Sequence, residues 1–99
     1  MPIIKVIQEQ TPIETIQLAA GAVSIGRAPD NDVHVDDITL SAHHARIYTY
    51  FDTSYIEDTG STNGVYLNGR RVQKHLLHPG DVVQLGKTQL RVEDESRAS

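Results

Sequence analysis

An all-β fold, a sandwich or a small barrel, is what this sequence predicts, and three observations carry it. No useful window repeats its apolar residues at helical spacing. Short runs rich in Ile, Val and Thr recur along the chain, each closed by Gly, Pro, Asn or Asp. Between Val65-Tyr66-Leu67 and Arg70-Arg71-Val72 stands Asn68-Gly69, a pair that tolerates positive φ at both centres of a hairpin turn. About ten short strands with turns at this spacing make two packed sheets or one closed one.

The elements follow in order. Residues 3–8 read as a first strand of branched apolar side chains, and Gln10-Thr11-Pro12 breaks it. Residues 13–18 alternate apolar and polar side chains and make a second strand. Ala20-Gly21 turns into a third at 22–26. Pro29, Asp30 and Asn31 are turn formers within 28–32, each for its own backbone reason. Val33-His34-Val35 is a short strand, and 36–42 is a loop. The clearest strand is 44–51, where Ala45, Ile47, Thr49 and Phe51 alternate with His44, Arg46, Tyr48 and Tyr50. A strand at 54–57 leads to a polar loop, and the hairpin 65–72 follows. Leu76-Leu77 precedes a turn at His78-Pro79-Gly80-Asp81. Residues 82–85 and 88–92 close the chain around a Gly86-Lys87 turn. Beyond them 93–99 is polar, carries Glu93-Asp94-Glu95, and is expected to fray as a disordered tail or linker. One domain over 1–92 is therefore expected, with no internal repeat.

Composition narrows the function. The chain has 99 residues, enough for one core, with 38% hydrophobic and 22% charged side chains. It has no cysteine, which excludes disulfides, a thiol nucleophile and cysteine-held metals. Its apolar runs are far too short to cross a bilayer as a helix. Lys5 and Gln8 interrupt the N-terminal run too early for a signal peptide. A cytoplasmic location with no membrane partner is expected. The formal net charge is −4, which argues against a nucleic-acid partner. An anionic ligand remains compatible, because surface fields fade over roughly 8–10 Å at physiological salt and a local cation dominates.

Three polar loops carry the chemistry. Gly26-Arg27 ends a strand, Ser41-Ala42-His43-His44 opens the best one, and Asp58-Thr59-Gly60-Ser61-Thr62-Asn63-Gly64 lies between two more. An arginine fork gives two parallel charge-assisted bonds to a phosphate or carboxylate. Ser41 supplies a hydroxyl, Thr62 a hydroxyl and a methyl, and Asn63 both a donor and an acceptor for a peptide backbone. Asp58 can accept the N–H groups of its own turn. His44, at a strand start, is more often a brace for loop backbone than a base. Each residue alone also has an ordinary turn role, so the joint pattern is what matters.

That pattern is Gly-Arg, then Ser-x-x-His, then Asp-x-x-Ser-Thr-Asn-Gly, then Asn-Gly, then Leu77-x-x-Gly80-Asp81-x-x-x-Leu85-Gly86, all in order. It resembles the forkhead-associated (FHA) domain from about Gly21 to Val92. The resemblance implies an FHA-type β-sandwich of two twisted, mostly antiparallel sheets with about eleven strands, more than the seven to nine of immunoglobulin-type sandwiches. It implies a phosphothreonine-peptide site on loops at one end, a mode of recognition built on arginine. Arg27 and Ser41 would hold the phosphate, Thr62 would touch it and line a pocket for the threonine methyl, and Asn63 would bond the peptide backbone. Gly26, His44, Asp58 and Gly64 would support the site. Recognition of this kind breaks no covalent bond, so no enzyme activity, cofactor or metal is expected. The implied partner is a phosphothreonine-containing protein made by a Ser/Thr kinase, with the kinase itself or further domains of the same polypeptide as candidates. A monomer is expected.

Some residues depart from the family or suggest other chemistry. Ala42 stands where the family often carries Arg, Lys or Asn, so one side-chain donor to phosphate is missing. Arg70, Arg71 and Lys74 would add positive field only if their hairpin borders the site. Asp30, Asp32, Asp36 and Asp37 crowd the loops around Arg27 and Ser41, and would disfavour acidic residues in a ligand they border. Ser41, His44 and Asp58 would suit a hydrolytic triad, but the nucleophile-elbow pattern is absent. His43, His44, His75 and His78 would suit zinc, but adjacent strand positions point to opposite faces and His78 sits in a turn before Pro79. The main alternative is an FHA-fold docking domain whose binding ignores phosphate.

Overall fold

A computed structural model describes residues 2–94. Eleven strands and no helix make up these residues: β1 (Pro2–Gln8), β2 (Thr11–Gln17), β3 (Gly21–Gly26), β4 (Val33–His34), β5 (Ala45–Tyr50), β6 (Thr53–Asp58), β7 (Val65–Leu67), β8 (Arg70–Val72), β9 (Lys74–Leu77), β10 (Val82–Leu85) and β11 (Thr88–Asp94). They form a six-stranded sheet in the order β2-β1-β11-β10-β7-β8 and a five-stranded sheet in the order β4-β3-β5-β6-β9. Every pairing is antiparallel except β3 with β4. The fold is the two-sheet sandwich and not the barrel. Among the described residues no helix is long and apolar enough to cross a membrane.

Alternation along the strands builds the core. In β5, Ala45, Ile47 and Thr49 are buried while Arg46 and Tyr50 face out. Ile4, Val6, Ile25, Ile47, Ile56, Val83, Leu85 and Leu90 fill the space between the sheets, each almost fully removed from water. Removing apolar surface from water is the main force holding the layers together. The predicted hairpin forms: Asn68 and Gly69 take φ of 51° and 87°, between β7 and β8.

The sequence reading misjudged several ends. Phe51 does not join the inner face of β5. It turns out at φ 57°, is 81% exposed, and packs edge-on against Tyr50 at 4.6 Å. The turn into β6 needs a left-handed residue there, and that breaks the two-residue alternation. The first break falls at Glu9 and Gln10, with φ of 51° and 66°, so Thr11 and Pro12 already belong to β2. Proline is tolerated because β2 is an edge strand. β9 starts at Lys74, earlier than Leu76, because Lys74 and His75 pair with Glu57 and Ile56. At the C-terminus Glu93 and Asp94 continue β11 opposite Ile3 and Pro2. The rest of the expected tail, 95–99, lies outside the described residues.

Topology decides which loops meet. β4 is one edge of the five-stranded sheet and β9 the other. Only Gln73 separates β8 from β9, so β8 lies over the β9 edge, across the sandwich from β4. The β3–β4, β4–β5 and β6–β7 connections hydrogen-bond to one another at one end: Arg27 N–H donates to the Ser41 carbonyl at 3.0 Å, and Thr59 N–H to the His44 carbonyl at 3.2 Å. The β10–β11 turn joins them, with Lys87 N–H donating to Thr39 Oγ1 at 2.8 Å.

Candidate functional site

His44 is the bolt of this end. It is completely buried, just before β5. Ser41 N–H donates to its Nδ1 at 3.1 Å, so Nδ1 carries the lone pair. Nε2 is then the protonated nitrogen and donates to the Gly64 carbonyl at 2.8 Å. One ring thus ties the β4–β5 loop to the β6–β7 loop. His44 is a brace, and neither of its nitrogens is left to act on Ser41 Oγ.

Gly26 explains the close seam beside it. A Cβ there would collide with the Ala42 carbonyl oxygen and stand 2.9 Å from both the Ala42 carbonyl carbon and Asn31 Nδ2. Asn31 itself is buried and donates from Nδ2 to the carbonyls of Ala28 and Ala42, both at 2.7 Å. That amide holds the turn after Arg27 against the β4–β5 loop. Gly26→Ala is expected to destabilise the domain by about 1–3 kcal/mol, as overpacking against backbone does. A urea titration checks this, and an unchanged midpoint would refute the packing argument.

Arg27 and Ser41 come together on this seam. Arg27 is exposed, and no acidic side chain lies within ion-pair distance of it among the described residues. Ser41 Oγ accepts the Thr62 N–H at 2.9 Å. Its own O–H therefore remains to be donated elsewhere. Asn63 is exposed, and its Nδ2 donates to the Thr39 carbonyl at 2.8 Å, which leaves Oδ1 with no protein partner among the described residues. Arg27, Ser41, Thr62 and Asn63 thus share one surface built on His44.

The Asp58 loop is shaped from within. Asp58 is buried at the end of β6, and its Oδ1 accepts N–H groups of Gly60 at 2.9 Å and Ser61 at 2.7 Å. Ser61 Oγ accepts the Gly64 N–H at 3.0 Å. Gly64 takes φ of 87°, a conformation that disfavours a side chain. These bonds also dispose of the triad: Asp58 serves its own turn, and Ser41 meets the His44 ring through its backbone N–H and not its hydroxyl. No cluster of metal-ligating side chains occurs among the described residues. His43 instead pairs with Asp30, Nε2 lying 3.0 and 3.1 Å from its two oxygens. That hydrogen bond, with the attraction of the imidazole, outweighs the small penalty of burial and lowers the Asp30 carboxyl from its ordinary value.

Two contributors escaped sequence reasoning, and a third was foreseen only on condition that its hairpin borders the site. Asn31 looked like a turn former, and nothing local marks it as buried. Asp37 stood out in the sequence only as one of four acids crowding these loops, yet it pins the β4–β5 loop. Its Oδ1 accepts Thr39 N–H at 2.8 Å and Thr39 O–H at 2.6 Å, and its Oδ2 accepts Thr88 O–H at 2.7 Å. Burial pushes this carboxyl up, but those donors and Lys87 win and hold it below its ordinary value of 3.8. A depressed native carboxyl adds stability above its unfolded pKa and loses it as pH falls through the native one. The stability difference between wild type and Asp37→Ala should therefore be full above about pH 4 and close below it. Thermal melts from about pH 2 to pH 6 check this, and a constant difference would exclude the carboxylate as the cause. The third contributor is Arg71 of β8, whose guanidinium packs on Gly64: a Cβ there would stand 2.8 Å from Arg71 Nε and 3.1 Å from Cζ.

The profile of the FHA domain family matches residues 23–86. The chain is 43% identical over 84 residues to the ABC transporter ATP-binding/permease protein Rv1747 of Mycobacterium tuberculosis, which covers 85% of this chain and 10% of that protein. It is 42% identical over 67 residues to the glycogen accumulation regulator GarA of the same species, 68% of this chain and 41% of GarA. The chain thus spans much less than the full length of these relatives. A solved structure from the "Structural and functional analysis of phosphothreonine-dependent FHA domain interactions" superposes with a TM-score of 0.86 at 29% identity, over 95% of this chain and 96% of that one. Family profile, relatives and fold converge, and this chain belongs to the FHA domain family.

Proposed function

We propose that the loop end of the sandwich binds phosphothreonine-containing segments of partner proteins. The observation that carries this reading is an exposed Arg27 with no acidic partner among the described residues, beside a Ser41 hydroxyl whose acceptor side is taken by Thr62 N–H. A phosphothreonine brings about −1.5 to −2 charges and three acceptor oxygens, which match a guanidinium fork and a free O–H. Thr62 receives the threonine methyl, and Asn63 Oδ1 accepts a peptide N–H. The family membership and the phosphothreonine-dependent FHA interactions named for a close structural relative support the same reading. Ala42 supplies no side-chain donor, so the phosphate rests on Arg27, Ser41 and Thr62. No catalytic role is assigned. The partner is the product of a Ser/Thr kinase, met in the cytoplasm, with the kinase or other domains of the same polypeptide as candidates. The module acts as a monomer, and its body is residues 1–92 extended by the end of β11.

The test is binding to a phosphothreonine peptide library, beside phosphoserine and unphosphorylated controls. Phosphothreonine peptides should bind, phosphoserine ones more weakly for want of the methyl, and unphosphorylated ones not measurably. Equal binding of all three would reject the reading.

One observation favours a second reading, docking without phosphate. The outer face of the five-stranded sheet carries Tyr48 stacked on Tyr55 at 5.1 Å, and at its far end Tyr50 and Phe51, 71% and 81% exposed. Exposed aromatic patches mark interaction surfaces. That end is a whole strand away from the loops, about 17–20 Å.

A further inference from the structure

We propose that Arg71, with Arg70 beside it, is a second anion subsite that takes a carboxylate or a second phosphate of the same peptide. The inference rests on the phosphothreonine reading above and gives the ligand a polarity. Arg71 pairs with Tyr66 across the β7–β8 hairpin, and its guanidinium reaches back onto Gly64, the residue after Asn63. It therefore borders the loop that supplies Thr62 and Asn63. Arg70 and Arg71 are both exposed, and no acidic side chain pairs with either among the described residues. Together with Asn68 and His75 they line one surface groove.

The other side of the site has the opposite sign. Asp30, Asp32, Asp36 and Asp37 all lie in the connections flanking β4. β4 and β8 stand at opposite edges of the sandwich. A peptide crossing the loop end thus runs from an acidic flank, over Arg27, to a basic flank. Three of those acids have internal partners: Asp30 with His43, Asp32 with the N–H and hydroxyl of Ser24, and Asp37 with Thr39 and Thr88. Arg71 pairs with no acidic side chain among the described residues. A guanidinium held against backbone is also partly ordered before binding, which lowers the entropic cost of making a bidentate bond. The site should accept anionic residues on the β8 side of the phosphothreonine and disfavour them on the β4 side.

The experiment scans a neutral phosphothreonine peptide with glutamate, and separately with phosphoserine, at each flanking position, and reads the affinity ratio to the neutral parent. Wild type should favour the anion on one side only, by about fivefold, and less at high salt. Arg71→Gln should abolish that ratio, Arg71→Glu should invert it, and Arg71→Lys should keep most of it. A ratio measured within one variant cancels any general loss from a disturbed Gly64 loop. Gain with glutamate identifies a carboxylate ligand, and gain with phosphoserine alone identifies a second phosphate. Phosphothreonine binding with no favoured flank, or with a preference untouched by Arg71→Gln, overturns the subsite alone. Absence of binding by any phosphothreonine peptide overturns the subsite together with the reading beneath it.

Discussion

Arg27→Ala should weaken phosphothreonine-peptide binding by roughly 2–5 kcal/mol, the range for breaking a hydrogen-bonded charge pair that binding desolvates. At about 1.4 kcal/mol per decade that is thirtyfold or more. The melting temperature should not move. Arg27 is exposed, and its backbone N–H bond to the Ser41 carbonyl is one that alanine keeps. Loss of affinity without loss of stability is thus the signature of a ligand-binding side chain. Arg27→Lys should recover part of the affinity, since charge survives while the planar fork does not. Calorimetry with a phosphothreonine peptide, beside a thermal melt, reads both quantities. Partner binding indifferent to Arg27→Ala would instead favour docking through the aromatic face, where Tyr50 and Phe51 stand clear of the loops.

His44→Ala should behave in the opposite way, losing stability and affinity together. It empties a fully buried site and strands two backbone groups, the Ser41 N–H and the Gly64 carbonyl. Large-to-small changes in a core and stranded polar groups together cost about 3–5 kcal/mol. For a domain of this size that lowers the melting temperature by more than about 12 °C. A typical domain has only about 5–15 kcal/mol in total, so the variant stays folded in the cold with little margin. Binding weakens because the two loops that carry Ser41 and Thr62 lose their common anchor. Full stability with lost binding would show that His44 touches the ligand directly and is no brace.

Much of the architecture was legible in the chain. Strands repeat every second residue, so the pattern in 44–51 announced both an element and its buried face. Asn68-Gly69 announced a turn because few other pairs accept its backbone. Errors fell where a turn's backbone overrode side-chain character. Phe51 is apolar but sits at a left-handed turn position, and Pro12 is a breaker only where its missing N–H would be needed.

The sequence by itself determined the strands, the tight turns and the inventory of polar loops, because these depend on neighbours a few residues apart. It also offered Arg27, Ser41, Thr62 and Asn63 as one set through their resemblance to a family pattern. Only the tertiary structure decided what stands next to what. The bond from Thr62 to Ser41 spans 21 residues and the bond from His44 to Gly64 spans 20. Such contacts arise from strand order and from two sheets closing on a shared core, which no local pattern encodes. Asp37 became a loop anchor because β11 brings Thr88 beneath it, and Asn31 became a buried clamp because Gly26 lets Ala42 come close. Arg71 became a neighbour of the site because β8 folds back along β7 and its side chain can rest on a glycine.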